Sequence, residues 1–335
     1  MIIEEQVSLA RLTTFKTGGP ARYHVTTPLS ELPEAISFAQ AKDLPWRVLG
    51  EGSNVLASDA GYDGVIITII SAETTVSDTD KGVLVVADAG VSWDTFVSYT
   101  CSQGWWGIEN LAGIPGTVGA APIQNIGAYG TEVKDTIMWV EVLDTNTHTV
   151  ERVGVDACAF SYRDSRFKHE PHYVVTRVAF LLSKEQGPQL SYKDLQDAVT
   201  RGERLETPEA VADCVRRIRA RKFPDLSVYG TAGSFFKNPI LTKEKVEALV
   251  ALYPEIPTFP GGAGLVKIPL AWILDKVLGL RGFAIGRVRA FEEQPLVLVA
   301  TAGATTTEVD ACADDIVRQV HDAVGISIER EVQSL

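Results

Sequence analysis

The feature that most constrains the fold is an uncharged, glycine-rich run at residues 110–131, which reads NLAGIPGTVGAAPIQNIGAYGT. No charged residue occurs between Glu109 and Glu132. Because four alanines and five glycines leave the backbone almost bare, its N–H groups can approach a ligand and hold phosphate oxygens without cationic side chains. The alternative is a buried turn that is tightly packed for its own sake. The five glycines are Gly113, Gly116, Gly119, Gly127 and Gly130.

Length and composition are typical of a globular protein of two or three domains. The chain has 335 residues, of which 45% are hydrophobic and 22% are charged. A net charge of −12 argues against nucleic acid as the main partner, because phosphate backbones are bound chiefly by clustered Lys and Arg. The N-terminus lacks the basic start and apolar run of a signal peptide, and no apolar segment reaches membrane length. We therefore expect a cytoplasmic protein with no membrane partner.

The cysteines and histidines do not indicate a metal site. His169 and His172 are close in sequence, but Pro171 between them disfavours the helical pairing that metal sites often use. We expect no metal there. The four cysteines form no Cys-x-x-Cys pair, and we expect them to be buried free thiols in a reducing compartment. They are Cys101, Cys158, Cys214 and Cys312.

Hydrophobic periodicity predicts an α+β chain without sustained alternation of strands and helices. Ser30 and Ser92 are predicted N-caps, and Thr305 with Glu308 forms a predicted capping box. Charge, glycine and proline accumulate at residues 184–206, which indicates a domain boundary there. Helices are predicted at 30–42, after Ser92, and at 207–221, 243–252, 270–278 and 306–324. Strands are predicted at 46–49, 65–70, 83–87, 137–143, 149–153, 173–182, 296–300 and 326–332.

A second loop of small residues, Gly50–Asn54, follows the predicted strand at 46–49. It begins like a dinucleotide fingerprint, but Val55 stands where the third glycine belongs. The chain contains no Gly-Lys dipeptide, which excludes a phosphate-binding loop of the Walker type. Two such loops could each hold one phosphate of a dinucleotide.

Three further segments combine residue types that suit a reaction site. Residues 160–167 place arginines among aromatic residues, residues 230–239 place a serine on a glycine-rich backbone, and residues 328–332 place carboxylates near the C-terminus. Taken singly, each also fits a structural role: a surface turn, the start of a strand and a solvated tail.

Together, these segments resemble the MurB family of UDP-N-acetylenolpyruvoylglucosamine reductases, in the family's order and over nearly the whole chain. The segment Leu190–Leu195 resembles the family branch that carries a substrate-covering tyrosine loop. The other matching segments are Gly50–Asn54, Leu111–Gly130, Tyr162–Ser165, Ala232–Pro239 and the closing Glu329–Val332.

The resemblance implies an FAD-binding fold of the vanillyl-alcohol-oxidase and p-cresol-methylhydroxylase type, with a C-terminal α/β substrate-binding domain. The implied α+β subdomains are 1–75, joined by a C-terminal strand at 326–335, and 76–205. The substrate-binding domain is 206–325. A monomeric enzyme of the bacterial cytoplasm is the family expectation, acting in peptidoglycan precursor synthesis.

The implied reaction is the FAD-dependent, NADPH-consuming reduction of UDP-N-acetylglucosamine enolpyruvate to UDP-N-acetylmuramate, with ping-pong kinetics. Arg163 is the implied partner of the substrate carboxylate, because a guanidinium binds carboxylates bidentately and stays cationic. Glu331 is implied to help stabilise the enol intermediate, and Ser234 is implied to donate a proton to carbon.

The resemblance also assigns binding residues. No His or Cys occurs in residues 102–147, so we expect FAD to be bound non-covalently. The basic run 216–222 is either a solvated helix face or a cationic patch that attracts both anionic substrates. Implied substrate-binding residues are Tyr162, Tyr192, Lys222 and Asn238. Implied FAD-binding residues are Gly50, Glu51, Gly52, Ser53, Asn54, Ile114, Pro115, Gly116, Gly119, Ala120, Asn125, Gly127, Ala128 and Tyr129.

The chain departs from the family pattern at three positions. Arg330 replaces a proline, which could loosen the closing segment or let Arg330 pair with Glu329 or Glu331. Phe291 and Ala300 stand where relatives usually show a His and an Asn. Two other functions fit the same fold: an FAD-dependent alcohol or sugar oxidase, and a sugar-nucleotide-binding regulator that has lost activity.

Overall fold

A computed structural model describes residues 1–335 and shows an α+β protein. The strands are β1 (Ile2–Ser8), β2 (Pro20–Thr27), β3 (Trp46–Val48), β4 (Val55–Leu56), β5 (Tyr62–Ile69), β6 (Thr74–Thr79), β7 (Gly82–Asp88), β8 (Gly127–Ala128), β9 (Thr131–Glu132), β10 (Ile137–Asp144), β11 (Thr149–Gly154), β12 (Tyr173–Leu182), β13 (Ile240–Leu241), β14 (Phe259–Gly262), β15 (Leu265–Lys267), β16 (Ala284–Ile285), β17 (Val288–Ala290), β18 (Leu298–Ala300) and β19 (Gln333–Ser334). The helices are α1 (Leu32–Ala41), α2 (Trp93–Ser102), α3 (Arg166–His169), α4 (Lys193–Thr200), α5 (Pro208–Lys222), α6 (Lys243–Leu252), α7 (Leu270–Trp272) and α8 (Thr306–Val324).

The chain forms two compact units, and each contains residues from distant parts of the sequence. The first unit comprises residues 1–7, 21–51 and 63–220. The second unit comprises residues 8–20, 52–62 and 221–335.

The first unit is built on a five-stranded antiparallel sheet with strand order β11-β10-β12-β7-β6. Its central strand β12 is rich in β-branched and aromatic residues, which suit a pleated, buried surface. Helix α2 covers this sheet with Trp93 and Phe96, whose rings lie within 5.9 Å and 5.0 Å of the Phe180 ring on β12. A second sheet in this unit has the order β1-β2-β5-β3 and packs against α1.

The second unit has its core around the long helix α8. One stripe of this helix is buried, at Val309, Cys312, Ile316 and Val320, and it packs with the strands β16, β17 and β18. Phe235 and Phe236 are buried in the same core. Strand β19 pairs in parallel with β4, which brings the C-terminal residues beside residues 54–58.

Most of the predicted elements are confirmed. Helices α5, α6 and α8 begin and end within one residue of the predicted bounds, and the Thr305–Glu308 capping box is present. The predicted N-cap Ser30 is wrong, because Ser30 lies within a 3₁₀ turn and Glu31 precedes α1. Ser92 does precede α2, but its side chain makes no capping hydrogen bond.

Three other predictions differ from the structure. The predicted helix 270–278 is a single α-turn that continues as a π-helical segment at Ile273–Val277. The predicted strand 326–332 is wrong, since only Arg330 of this range forms an isolated bridge and strand β19 begins at Gln333. Residues 193–200, placed in the boundary segment, form α4, whose Leu195 and Ala198 are buried.

The prediction of buried free thiols is confirmed for all four cysteines. Burial raises the pKa of Cys101 and Cys158 to about 12 and that of Cys312 to about 11. None of the helices combines the length and the apolar character that crossing a bilayer requires.

Candidate active site

The glycine-rich run forms a series of tight turns in the first unit. After 3₁₀ turns at Glu109–Leu111 and Val118–Ala120, it ends in a hairpin of β8 and β9. The two turn residues of this hairpin, Tyr129 and Gly130, have φ angles of 47° and 85°. Positive φ at both positions is the backbone of a type I′ turn, one of the two common two-residue hairpin turns.

The loop at Gly50–Glu51 contacts the glycine-rich run directly. The Glu51 carboxylate accepts a hydrogen bond from the Gly116 N–H at 2.8 Å. A Cβ at Gly50 would lie 2.7 Å from the Thr117 hydroxyl, so only glycine allows this approach. Packing between the two loops thus explains Gly50, while their joint binding of one dinucleotide stays a prediction.

The side chain of Asn125 holds the glycine-rich run in its conformation. Asn125 is fully buried, and its amide group donates to Glu132 and to the Ser161 carbonyl, at 3.0 Å and 2.9 Å. Its oxygen accepts from the Lys134 N–H at 3.1 Å. Asn125 therefore fixes the loop through three bonds within the protein.

Arg163 lies at the tip of a tight turn and points at the hairpin. Its guanidinium donates to the Gly127 carbonyl at 2.7 Å and lies 5.2 Å from the centre of the Tyr162 ring. Its φ of 56° is unusual for a residue with a side chain. The turn is closed by paired backbone bonds between Ser161 and Asp164, at 3.0 Å and 3.3 Å.

Tyr192 precedes helix α4 and packs on the glycine-rich run. Its ring meets the Tyr129 ring edge-on, with centroids 5.1 Å apart. Tyr129 is buried, whereas Tyr192 is 43% exposed. Tyr192 therefore lies against the loop that the family resemblance assigns to FAD.

The arginines of α5 are largely engaged within the protein. Arg216 bonds to Asp94 at 2.9 Å, and Asp94 also accepts the Gly113 N–H at 2.6 Å. Arg219 donates to the Gly113 carbonyl at 2.9 Å, and Arg217 pairs with Glu203. The charges of Arg216 and Arg217 are thus offset by carboxylates. Arg217 and Arg221 are exposed, as on a solvated helix face, and the cationic patch stays a prediction.

Ser234 and Glu331 are held close together in the second unit. The Glu331 N–H donates to the Phe235 carbonyl at 2.8 Å, and the Lys237 N–H donates to the Glu329 carbonyl at 2.9 Å. Ser234 itself opposes Val297 in an antiparallel bridge. Its half-buried hydroxyl makes no hydrogen bond within the protein, so it is available to a ligand.

The closing segment, defined as residues 329–332, is anchored on both sides. The Asn54 side chain donates to the Glu331 carbonyl at 3.4 Å. Arg330 pairs with Asp310 and Asp314 of α8. Arg330 therefore neither loosens the segment nor pairs with Glu329 or Glu331; Glu329 pairs instead with Lys237, at 3.1 Å.

The remaining predicted substrate residues divide between the units. The Asn238 oxygen accepts the Leu270 N–H at 2.9 Å, which leaves its NH₂ group available to a ligand. The first unit contains Gly50, Glu51, Ile114, Pro115, Gly116, Gly119, Ala120, Asn125, Gly127, Ala128, Tyr129, Tyr162, Arg163 and Tyr192. The second unit contains Gly52, Ser53, Asn54, Lys222, Ser234, Asn238 and Glu331.

The sequence did not predict the contacts of three residues in this arrangement. Asp94 and Arg219 hold Gly113, and Arg330 anchors the closing segment. The basic run and the unusual Arg330 were visible as signals, but their partners lie far away in the sequence.

Comparison with known proteins identifies both parts of the chain. A family model of FAD-binding domains matches residues 20–154, which include both small-residue loops. A model of the C-terminal domain of UDP-N-acetylenolpyruvoylglucosamine reductase matches residues 225–335. The structure of that reductase from Thermus caldophilus superposes with a TM-score of 0.66 at 24% identity, covering 100% of this chain and 99% of that one. The fold is therefore that of an FAD-binding protein, as the sequence predicted.

Curated relatives then show the family. UDP-N-acetylenolpyruvoylglucosamine reductase from Polynucleobacter asymbioticus is 38% identical over 95% of this chain and 91% of its own length. The Bdellovibrio bacteriovorus enzyme is 40% identical over 90% of each chain, and the Pseudomonas aeruginosa enzyme 37% identical over 98% of each. The chain belongs to the UDP-N-acetylenolpyruvoylglucosamine reductase family.

The residues present fit an FAD diphosphate. The backbone N–H groups of Gly50, Glu51 and Ile114 donate no hydrogen bond within the protein, although their neighbours Leu49 and Gly116 do. Uncommitted amides on small-residue loops bind phosphate oxygens without charged side chains.

Proposed function

We propose that the protein catalyses the FAD-dependent, NADPH-consuming reduction of UDP-N-acetylglucosamine enolpyruvate to UDP-N-acetylmuramate. The observation that carries this proposal is the placement of Arg163: its guanidinium is fixed on Gly127, inside the loop assigned to FAD. A cation there can bind the substrate carboxylate next to the flavin. When bound, FAD supplies the redox chemistry, since it is reduced by NADPH and then reduces the enolpyruvyl double bond.

Arg163 would act as the carboxylate partner. Reduction of the double bond places negative charge on the carboxylate and the carbon beside it, so a fixed guanidinium stabilises the transition state. The bond to Gly127 and the contact with the Tyr162 ring hold the guanidinium before substrate arrives. This preorganisation avoids a reorganisation cost during the reaction.

Ser234 would protonate the carbon, and Glu331 would help to stabilise the enol. A serine hydroxyl is a weak acid, but an enolate carbon is strongly basic, so positioning can compensate. The Ser234 hydroxyl has no partner in the protein to compete for its proton. Glu331 is bonded through its N–H to the residue that follows Ser234.

Tyr192 and Asn238 would hold the nucleotide part of the substrate, together with Lys222. Tyr192 exposes 43% of its surface and can cover a ligand, and the Asn238 NH₂ group is free to donate. We propose that the enzyme acts as a monomer and that the three domains drawn from the sequence divide these tasks.

The test is to load the protein with FAD, exclude oxygen and follow the flavin absorbance. NADPH should bleach the flavin, and UDP-N-acetylglucosamine enolpyruvate should restore the colour. Recovery that requires air instead would favour an alcohol or sugar oxidase. A protein that takes up no FAD would overturn the proposal.

A further inference from the structure

The side chain of Arg330 ties the closing segment to helix α8. Its Nη1 donates to Asp310 Oδ1 at 2.5 Å and its Nη2 donates to Asp314 Oδ1 at 2.7 Å. Asp310 and Asp314 are four residues apart, so they project from one face of the helix. The guanidinium carbon also lies 5.6 Å from the centre of the buried Phe235 ring. Arg330 is therefore fixed by two ion pairs and one aromatic contact.

The backbone of the same segment pairs with the residues that follow Ser234. Arg330 and Phe236 oppose each other in an antiparallel bridge. The two backbone bonds of this bridge run from Glu331 to Phe235 and from Lys237 to Glu329, one on either side of the opposed pair. In this geometry Phe236 and Arg330 form the pair that exchanges no hydrogen bonds, so the Arg330 N–H lies outside the ladder.

We infer that Arg330, Asp310 and Asp314 form a clamp that sets the position of Glu331 relative to Ser234. Arg330 is thus a positioning residue for the reaction proposed above, and the inference rests on that proposed function. The two backbone bonds, Asn54 and Lys237 hold the segment on one side. A guanidinium bonded to two carboxylates adds a restraint on rotation and sliding from the side of α8. Small displacements of reacting groups are costly, since about 1 Å can reduce a rate about a hundredfold.

Proline at position 330 would restrain the same segment without a clamp. Proline restrains a segment through its fixed φ, and it is accepted in a strand only where its missing N–H is not needed. Position 330 meets that condition. Proline and the arginine clamp are therefore two ways to restrain the same residue, one through the backbone and one through the side chain.

The first test measures the clamp without substrate. Hydrogen exchange at the Glu331 amide should be about tenfold faster in Arg330→Ala than in the wild-type protein. The matched control is Arg318→Ala, which removes an arginine that pairs with Asp315 on the same helix; it should leave that amide unchanged. Equal exchange in Arg330→Ala and wild type would overturn the inference.

The second test separates the two half-reactions of the FAD-loaded enzyme. Arg330→Ala should slow flavin reoxidation by UDP-N-acetylglucosamine enolpyruvate about ten- to a hundredfold and leave reduction by NADPH unchanged. Asp310→Asn combined with Asp314→Asn should reproduce this effect. Arg330→Lys keeps the positive charge but not the bidentate geometry, so its reoxidation rate should lie between those of Arg330→Ala and the wild type. Arg330→Pro should recover most of the wild-type rate.

The positioning role would be overturned if Arg330→Ala slowed both half-reactions equally. It would also be overturned if Arg330→Ala reoxidised its flavin at the wild-type rate. If the wild-type protein itself fails to reduce the enolpyruvyl substrate, the proposed function fails. The exchange measurement still decides in that case whether the clamp restrains Glu331.

Discussion

Arg163 stores backbone strain at the point where the substrate carboxylate is proposed to bind. A left-handed conformation costs a residue with a side chain on the order of 1–3 kcal/mol and persists only where its surroundings impose it. Here the Lys168 ammonium donates to the Arg163 carbonyl at 3.2 Å, and the Ser161–Asp164 pairing closes the turn. The strain is therefore balanced by contacts that aim the guanidinium at Gly127.

Replacement of Ser234 should separate the two halves of the reaction. Ser234→Ala removes the only proposed proton donor, so reoxidation by the enolpyruvyl substrate should fall by about two to four orders of magnitude, the usual scale of general acid catalysis. Reduction by NADPH should persist. Stopped-flow absorbance measures both steps, and Ser234→Cys should restore part of the rate because a thiol also carries a proton. Equal loss of both steps would refute the role.

Replacement of Glu51 tests the contact between the two small-residue loops. Glu51→Ala deletes the acceptor of the Gly116 N–H and should weaken FAD binding about tenfold, the scale of one hydrogen bond to a charged group. Glu51→Gln keeps an acceptor oxygen and should bind nearly as tightly as wild type. Fluorescence titration with FAD measures the affinity of both variants. Weaker FAD binding by Glu51→Gln than by Glu51→Ala would contradict this role of the Glu51 carboxylate.

At the scale of an element, helix α8 depends on its first turn. The Thr305 hydroxyl accepts the Glu308 N–H at 3.1 Å, and the Glu308 carboxylate accepts the Thr305 N–H at 2.9 Å. Asp59 accepts two further N–H groups of that turn, from Thr306 and Thr307. The helix that anchors Arg330 is therefore capped by groups from two parts of the chain.

Thr305→Ala should lower the free energy of unfolding by about 1 kcal/mol, because an N-cap bond is lost. Ser92→Ala is the matched control, because Ser92 occupies the same position before α2 but makes no capping bond. Its free energy of unfolding should stay close to that of the wild type. Urea denaturation measures both. Equal losses would show that the cap bond of Thr305 contributes nothing specific.

At the scale of the whole molecule, patterns of neighbouring residues predicted most helices and strands. Contacts between residues far apart in the sequence were not predicted. Helix α8 was predicted because its capping box and apolar stripe are adjacent in sequence. Strand β1 was missed because most of its residues are exposed and show no alternation. The Glu51–Gly116 and Arg219–Gly113 bonds join residues 65 and 106 positions apart, and no local pattern encodes such pairs.

The thiols provide a test of the whole fold. A pKa raised to about 12 means that Cys101 and Cys158 remain protonated at pH 7 and also at pH 9, so their nucleophilic thiolate form is scarce across that range. The folded protein should react with a disulfide reagent only very slowly at either pH, whereas protein unfolded in urea should react fast. Rapid reaction of the folded protein would show that a thiol is accessible.

Silent native thiols make the protein a ready background for site-specific labelling. A single cysteine introduced at Lys193, an exposed residue next to Tyr192, would carry a fluorophore or spin label without removal of the four native ones. The label would report whether the surroundings of Tyr192 change during turnover, in a protein whose interior packing is left as it is.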